Sequence, residues 1–219
     1  MLDDLIKERL KKLEALKAAG VDPYPPVVKR THEIGAARKD FAKLVKAGKK
    51  LSLVGRVWSV RDQGNVAFLD LKDESGGIQA VLKKDSLIKF DFWKSVLDIG
   101  DFISVSGLLF KTKRGEESIE AKEIQILTKS LRPLPSEHYG LEEVETRLRK
   151  RYLDLLLNPE LRGVFRKKEI FWETFRNYLK NERFLEVETP VLEATPGGAD
   201  AEPFKTHMNA LDEDFYLRI

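Results

Sequence analysis

The sequence predicts an α+β fold, because the spacing of apolar residues changes twice along the chain. Apolar residues recur at helical spacing in the first 48 residues, alternate with polar residues between 51 and 128, and then return to helical spacing. A length of 219 residues allows one large domain or two small ones, and 42% hydrophobic residues are enough to form cores. We expect a helical extension over 1–48, a β domain over 49–130, a linker over 131–158 and a second domain over 159–219.

Composition excludes several kinds of protein. The chain has no cysteine, so neither a disulfide nor a thiolate metal site can form, and the lack of disulfides fits a reducing compartment. The first residues lack a basic region followed by an apolar run, and no apolar stretch reaches the roughly 18 residues that cross a bilayer. We therefore expect a cytoplasmic protein with no membrane partner. The net charge of +3 is too small to indicate nucleic-acid binding by itself, so any such surface must be local.

The first 48 residues predict two helices joined by an extended segment. Leucine and isoleucine recur at helical spacing from Leu2, and Gly20 stands where a C-terminal cap belongs. The prolines that follow exclude regular structure as far as Pro26. Thr31 can cap a second helix, which runs to about Ala47. The lysines of the first helix could contact RNA phosphates, but a solvated face is the commoner meaning of such a pattern.

The segment after residue 50 predicts five strands and one helix. Glycine-containing turns separate the first three strands, and the helix, near 86–97, follows the third strand. The strands lie near 51–61, 65–72, 77–83, 101–112 and 118–128. Five short strands with a helix after the third are typical of an OB-fold β-barrel. Such barrels bind nucleic acids on the face of their second and third strands and with their first and fourth loops.

Alternation within two of these strands predicts a nucleic-acid-binding face. It puts Phe68 and Gln79 on the polar, outward side of neighbouring strands, near Arg61 and the basic loop 111–114. An aromatic ring can stack on a base while an amide bonds to the base edge and cations meet phosphates. The alternative is that Phe68 packs beneath a loop or against the first helix.

A connector separates the β domain from the rest of the chain. Residues 131–140 include Pro133, Pro135 and Gly140 and cannot form regular structure, so they mark a domain boundary. Helical character returns over 141–157.

The last part of the chain predicts a long helix, a strand and a glycine-rich turn. Asn158 and Pro159 are typical of a helix start, with Asn158 as the cap. Apolar and polar residues alternate over 184–190, which predicts a half-buried strand that ends at Pro190, and Pro196-Gly197-Gly198 follows. The helix carries an apolar face that is either core or a subunit interface. This face consists of Val164, Phe171, Phe175 and Tyr178.

Six strings, taken together in order and spacing, resemble class II lysyl-tRNA synthetases. Each string alone is weak, and their order along nearly the whole chain carries the resemblance. The strings lie at 126–135, 151–155, 184–190, 196–199, 206–212 and 216–219. The resemblance implies an OB-fold anticodon-binding domain followed by the start of a catalytic domain on an antiparallel sheet. It also implies that the whole enzyme attaches lysine to its tRNA through an adenylate made from ATP, with Mg²⁺.

The resemblance assigns roles to residues of the β domain. Phe68, Gln79 and Glu116 fall where such enzymes contact the central uridine of the lysine anticodon, with Phe68 stacking and the two polar side chains reading the base edge. Arg61 is implied as a neighbouring contact. These roles agree with the outward direction that strand alternation predicts for Phe68 and Gln79.

In the second domain the resemblance implies a dimer interface and part of a substrate pocket. The helix and strand over 159–190 resemble motif 1, which builds the homodimer interface in this class of enzymes. Gly198 falls where the backbone borders the lysine pocket. The expected interface residues are Phe171, Phe175, Tyr178 and Pro190.

Some positions depart from the family pattern. Arg183 stands where glycine is usual, Glu202 where arginine is usual, and Met208 where the family has a second histidine, so they receive no role. In the family the chain continues beyond Ile219 into motifs 2 and 3, whose residues hold ATP and Mg²⁺. We therefore expect no catalytic residue and no metal ligand among these 219 residues, and no activity from them alone.

Other functions remain open. Aspartyl and asparaginyl synthetases share the same arrangement of domains, although 131–135 and 206–212 resemble the lysine enzymes. A non-enzymatic tRNA-binding protein would keep the OB-fold domain, whereas a paralogue that transfers lysine to a protein normally lacks it. The resemblance to the lysine enzymes implies tRNA(Lys), lysine, ATP and a second copy of the chain as partners.

Overall fold

The computed structural model describes residues 2–135 and 143–219. The chain divides into two compact units, Met1–Ser136 and Glu137–Ile219. The end of the predicted connector, including Tyr139 and Gly140, lies outside the described residues. In the described part, no helix combines the length and the apolar character that crossing a membrane requires.

The first unit contains helices and strands in the predicted order, which confirms the α+β class. Its helices are α1 Leu2–Ala18, α2 Ile34–Lys39, α3 Phe41–Ala47 and α4 Phe90–Val96. Its strands are β1 Leu51–Asp62, β2 Val66–Lys72, β3 Gly77–Lys83, β4 Phe102–Lys111 and β5 Glu117–Thr128. The strand bounds agree with the predicted ones to within one residue, and the helix after the third strand is present but shorter than predicted.

The five strands form a closed barrel in the order β1-β2-β3-β5-β4. Neighbouring strands are antiparallel except β3 and β5, which run parallel. The first half of β1 pairs with β4 and its second half with β2, and a bulge lies between Val57 and Ser59. A bulge bends its strand, which allows β1 to belong to both sides of the barrel. The OB-fold prediction is confirmed.

The interior of the barrel is apolar because alternate residues of each strand point inward. Val57 of β1, Leu69 of β2 and Ile103 of β4 are at most 1% exposed. Gly107 lies where the register shifts between β4 and β5. A Cβ atom at Gly107 would stand 1.8 Å from the backbone oxygen of Glu120, so only glycine allows the two strands to approach this closely.

The segment around Thr31 differs from the prediction. The predicted second helix is two helices, which meet at Asp40. Thr31 does not cap either of them, because its hydroxyl donates to the backbone oxygen of Ser52 at 3.1 Å and accepts from the Ser52 N–H at 3.0 Å. The first N–H of α2, from Ile34, donates instead to the Asp73 carboxylate at 2.9 Å. The cap therefore comes from the β2–β3 turn, which the local sequence cannot indicate.

One lysine of the first unit is buried with its charge paired. Lys129, just after β5, is 2% exposed. Its ammonium group donates to the backbone oxygen of Val96 at 2.7 Å, to Asp98 at 2.6 Å and to Asp101 at 2.8 Å. Lys12 of α1 donates to the other oxygen of Asp98 at 2.6 Å. The network therefore joins α1 and the end of α4 to the two strands β4 and β5.

Burial and pairing act in opposite directions on the two carboxylates of this network. For Asp101 burial is the larger influence and raises the pKa, although Lys129 opposes it. For Asp98 burial is again the largest single influence, but Lys12 and Lys129 together outweigh it and lower the pKa. A buried carboxylate of this kind is tolerated only while its cation is present.

A short parallel contact between β3 and β5 closes the barrel. Its register pairs are Gln79 with Ser118, Ala80 with Ile119 and Val81 with Glu120. Ion pairs reinforce the contact, because Glu120 accepts from Lys83 of β3 at 2.7 Å and from Lys122 at 2.5 Å. Hydrogen bonds from Lys122 and then Lys83 lower the pKa of Glu120 from 4.5 to about 2.

The second unit contains three helices and a small antiparallel sheet among its described residues. The helices are α5 Val144–Arg149, α6 Arg151–Leu157 and α7 Leu161–Asn181. The strands β6 Leu192–Glu193, β7 Lys205–Met208 and β8 Glu213–Leu217 pair in the order β6-β8-β7. An antiparallel sheet agrees with the start of the expected synthetase domain.

A buried carboxylate holds the short helices α5 and α6 together. Asp154 is 0% exposed and accepts from Arg147 at 2.9 Å, from Arg151 at 2.5 Å and from Asn158 at 2.8 Å. Burial would raise the pKa of Asp154, but these three partners together lower it. The contact corrects a prediction, because the Asn158 side chain bonds back to Asp154 and does not cap α7, which begins at Leu161 without a side-chain cap.

The strand predicted over 184–190 is absent from the described structure. Leu185 is 85% exposed and Val187 is 67% exposed, so the segment is not half-buried either. Its Glu186 forms an ion pair with Arg176 of α7 at 2.9 Å. Alternating apolar residues form a strand only where a neighbouring strand supplies hydrogen bonds. No described strand pairs with this segment.

We expect Lys129→Met to lower the free energy of unfolding by about 3–5 kcal/mol, because it leaves the buried Asp101 carboxylate without its cation. Urea unfolding followed by circular dichroism measures the change. Lys50→Met is the matched control: it removes an exposed ion pair with Glu123 and should cost at most about 1 kcal/mol. Similar losses in the two variants would contradict the role given to the buried network.

We also expect Glu120→Gln to change how stability depends on pH. Because the folded chain lowers the pKa of Glu120, the carboxylate stabilises the fold above pH 4.5, and this contribution is lost as the pH falls to about 2. The thermal midpoint of the variant should lie below that of the wild type near neutral pH, and the difference should disappear towards pH 2. Glu123→Gln, at a side chain that is 65% exposed, should give a smaller difference. A difference that does not depend on pH would contradict the assignment.

Candidate nucleic-acid interface

The outward face of β2 and β3 carries two of the residues predicted to read a base. Ala67, Leu69 and Leu71 of β2 are buried in the barrel, so Phe68 between them points outward and is half-buried. In β3, Gln79 is also outward and half-buried. Phe68 does not belong to the buried core cluster. The structure therefore places both side chains on the predicted side of their strands.

Strand register orders the side chains on the outer side of β1, β2, β3 and β5 into two rows, in which Val81 and Ser118 are nevertheless buried. The first row consists of Arg61, Phe68, Val81 and Glu120. The second row consists of Ser59, Asp70, Gln79 and Ser118. Phe68 and Gln79 thus lie diagonally on neighbouring strands, a separation that aromatic and long side chains can bridge.

Asp70 fixes the cation that stands beside Phe68. The Ser59 hydroxyl donates to one oxygen of the Asp70 carboxylate, and the Arg61 guanidinium donates to the other oxygen at 3.1 Å. Arg61 is the register partner of Phe68, and its side chain remains 56% exposed. The guanidinium is therefore both positioned and accessible to a phosphate.

Glu116, the third predicted reader, is exposed in the loop between β4 and β5. Two hydrogen bonds join Thr112 to Glu116 across the loop: the Thr112 N–H donates to the Glu116 backbone oxygen at 2.9 Å, and the Glu116 N–H donates to the Thr112 hydroxyl at 3.0 Å. The hydroxyl of the buried Ser118 lies 3.3 Å from the same backbone oxygen and 3.2 Å from Gln79 Oε1. One serine therefore stands between Gln79 and the loop that carries Glu116.

Two of the aromatic–cation pairs of this barrel involve residues of β2 and β3. The Lys72 ammonium lies 4.4 Å from the ring centre of Trp58, and the Lys83 ammonium lies 5.2 Å from that of Phe110. Both distances are within the range of cation–π attraction. Strand alternation could not indicate the first pair, because Trp58 lies in the β1 bulge, where the period of two fails.

Gly198 lies in the loop between β6 and β7 in a conformation that favours glycine. Its φ is +106°, and a Cβ atom there would stand 3.1 Å from the backbone oxygen of Ile219. A side chain at this position would therefore be strained and would crowd the Ile219 oxygen. A role at a lysine pocket stays a prediction.

The predicted interface residues of α7 are exposed. Phe171 is 62%, Phe175 51% and Tyr178 63% exposed, and Pro190 is exposed as well. Trp172, which the sequence pattern did not single out, is 47% exposed and lies edge-on between Phe171 and Phe175, with ring centres 5.4 and 6.3 Å apart. The apolar face of α7 is therefore not part of a core within the described second unit.

The side chains that could ligate a metal are scattered among the described residues. Within 2–135 and 143–219, no group of three or more His, Cys, Asp or Glu side chains could hold a metal ion. Around His207, for example, Asp214 lies 3.0 Å from the ring and also pairs with Lys205, whose hydrogen bond lowers the pKa of Asp214. The Asp214 carboxylate is therefore already paired with a lysine ammonium.

Comparisons with known proteins give a separate family match for each of the two units. Residues 51–127 match the family described as OB-fold nucleic acid binding domain, and residues 143–219 match the family of class II tRNA synthetases (D, K and N). The lysine–tRNA ligase of Roseiflexus castenholzii is 45% identical over 221 residues, which cover 100% of this chain and 45% of that protein. The lysine–tRNA ligase of Moorella thermoacetica is 43% identical, covering 99% and 44%. That of Fervidobacterium nodosum is 38% identical, covering 100% and 44%.

These relatives bear on the alternatives that the sequence left open. The class II family includes the aspartate, lysine and asparagine enzymes, but these three relatives are all lysine–tRNA ligases. The chain spans about half the length of the curated relatives it matches. The chain is therefore a homologue of the lysine–tRNA ligases, in which an OB-fold domain is joined to part of a class II synthetase domain.

Proposed function

We propose that this chain supplies the anticodon-reading part of an enzyme that attaches lysine to tRNA(Lys). The observation that supports it best is the outward placement of Phe68 and Gln79 on adjacent strands of an OB-fold, next to the loop that carries Glu116. The family resemblance supplies the identity of the base, the central uridine of the lysine anticodon. In the whole protein, lysine would react with ATP to form an adenylate and then acylate the terminal ribose of the tRNA, with Mg²⁺ as the metal.

Each residue of this face would have a distinct task. The half-buried ring of Phe68 offers a flat surface on which a base can stack. Gln79 and Glu116 would form hydrogen bonds with the edge of the same base. Arg61, held by Asp70, would meet the backbone phosphate.

The second unit would contribute a subunit interface and one wall of the lysine pocket. The exposed aromatic residues of α7 form an apolar face that requires a cover, and a second copy of the chain is the partner that the family resemblance implies. Gly198, whose positive φ favours glycine, would border the lysine pocket. We retain the domain bounds 1–48, 49–130, 131–158 and 159–219 and a cytoplasmic location as part of this proposal.

The alternative is a tRNA-binding protein without catalysis. The reading face of the first unit would serve either function equally well. The match of residues 143–219 to the class II synthetase family favours the enzyme, because a binding protein has no need of that domain.

Phe68→Ala should weaken binding of an RNA stem-loop with the lysine anticodon by about 1–3 kcal/mol, because it removes one stacking contact. Fluorescence anisotropy at several salt concentrations measures the change, and the slope against salt should stay the same because no phosphate contact is lost. Phe102→Ala is the matched control, since Phe102 packs against Arg56 and lies outside the proposed reading face. Binding that ignores both Phe68 and the central uridine would overturn the proposed function.

Phe175→Asp should reduce self-association of the chain, because it places a charge in the apolar face of α7. Sedimentation equilibrium should show a dimer for the wild type and at least a tenfold weaker dimer for the variant, which corresponds to roughly 1.4 kcal/mol. Ile88→Asp changes an apolar residue of the first unit that is even more exposed, 74% against 51% for Phe175, and should leave the dimer intact. A monomeric wild type would contradict the proposed interface.

A further inference from the structure

We propose that Ser118 is a positioning residue that determines which end of the Gln79 amide faces the bound base. This inference rests on the proposed function, because it concerns the same reading face. Ser118 itself would not touch the base, because its side chain is 0% exposed. Its effect would pass through Gln79.

Strand register places Ser118 directly beside Gln79. The two residues are partners in the short parallel contact that closes the barrel. Ser118 is 0% exposed, whereas Gln79 is half-buried and points outward. A buried hydroxyl group must find a hydrogen-bond partner within the protein, because no bulk water can reach it.

Two acceptors lie within reach of the Ser118 hydroxyl, and one of them already accepts a hydrogen bond from another donor. The Glu116 backbone oxygen lies 3.3 Å from Ser118 Oγ, but it accepts the Thr112 N–H at 2.9 Å. Gln79 Oε1 lies 3.2 Å from Ser118 Oγ. A serine hydroxyl donates only one proton, and donation to Gln79 gives Oε1 a donor that no other described contact supplies, whereas the Glu116 oxygen already has one.

This bond breaks the symmetry of the Gln79 amide. A side-chain amide has an acceptor oxygen at one end and a donor nitrogen at the other, and the two ends have nearly the same shape. With Oε1 facing Ser118, Nε2 is the end that remains for a ligand. Asp70, the register partner of Gln79 on β2, accepts from Ser59 and Arg61, and the described contacts include no hydrogen bond from Nε2 to its carboxylate.

A donor at this position favours one kind of pyrimidine. Uracil carries a carbonyl oxygen where cytosine carries an amino group. Gln79 Nε2 can therefore donate to uracil, whereas in cytosine it would face another donor. Without Ser118 the amide could turn over and offer Oε1 to the amino group of cytosine. Ser118 therefore contributes to the choice of uridine over cytidine at the central anticodon position.

The test compares two RNA stem-loops that carry uridine or cytidine at the central anticodon position. Wild-type chain should bind the uridine form more tightly by roughly tenfold or more, as expected for a good side-chain contact with a base edge. Ser118→Ala should reduce this ratio to about threefold or less, mainly through tighter binding of the cytidine form. Ser118→Thr keeps the hydroxyl group and should keep the wild-type ratio. Circular dichroism establishes that each variant is folded.

Gln79→Glu provides a second measurement that does not disturb the buried serine. Ser118 would donate to one carboxylate oxygen, and the other oxygen would accept from cytosine and repel the uracil carbonyl, so the preference should reverse. A Ser118→Ala chain that keeps the wild-type ratio, or a Gln79→Glu chain that still prefers uridine, overturns this inference alone. A wild-type chain that does not distinguish the two stem-loops overturns the proposed function, and the inference with it.

Discussion

The parallel pairing of β3 with β5 is the contact on which the proposed base-reading face, with Phe68, Gln79 and Glu116, depends. It closes the barrel through one short stretch of register, and it is the only link that brings Gln79 next to Ser118 within the described residues. Parallel pairing joins strands that are far apart in sequence, so its entropic cost is high and it needs support from side chains. The ion pairs of Glu120 with Lys83 and Lys122 provide such support at the outer edge of the contact. The pairing that closes the barrel therefore also places Gln79 next to Ser118.

The buried network of Lys129 explains how the helical extension becomes part of the first unit. Lys12 of α1 shares Asp98 with Lys129, and Arg9 of α1 donates to the backbone oxygens of Ile99 at 2.9 Å and Ser130 at 3.0 Å. These contacts are directional, whereas apolar contacts allow a helix to slide or rotate. The lysines of α1 thus include one with a defined structural partner, and the solvated-face interpretation holds only for part of the helix.

Much of the fold and part of the candidate site could be predicted from the sequence. What could be predicted differs from what could not for a physical reason. Period-two alternation located the strands and the outward direction of Phe68, because it depends only on neighbours along one strand. The Ser118 contact could not be predicted, because the register of a parallel pair is decided by the whole barrel. Thr31 and Asn158 are not helix caps, because their side chains bond to Ser52 on β1 and to Asp154, one helical turn back, and the capping pattern considers neither partner.

The two units differ in how far their apolar residues are covered. In the first unit the barrel encloses its own core, so Val57 and Ile103 are completely buried. In the second unit α7 has no buried residue, and the alternating segment that follows it exposes Leu185 without a strand to pair with. An amphipathic helix gains most of its stability from covering its apolar face, and a single strand cannot satisfy its own hydrogen bonds. The helix and the segment that follows it therefore share one feature: neither buries its apolar residues within the described second unit, although an ion pair between Arg176 and Glu186 joins them.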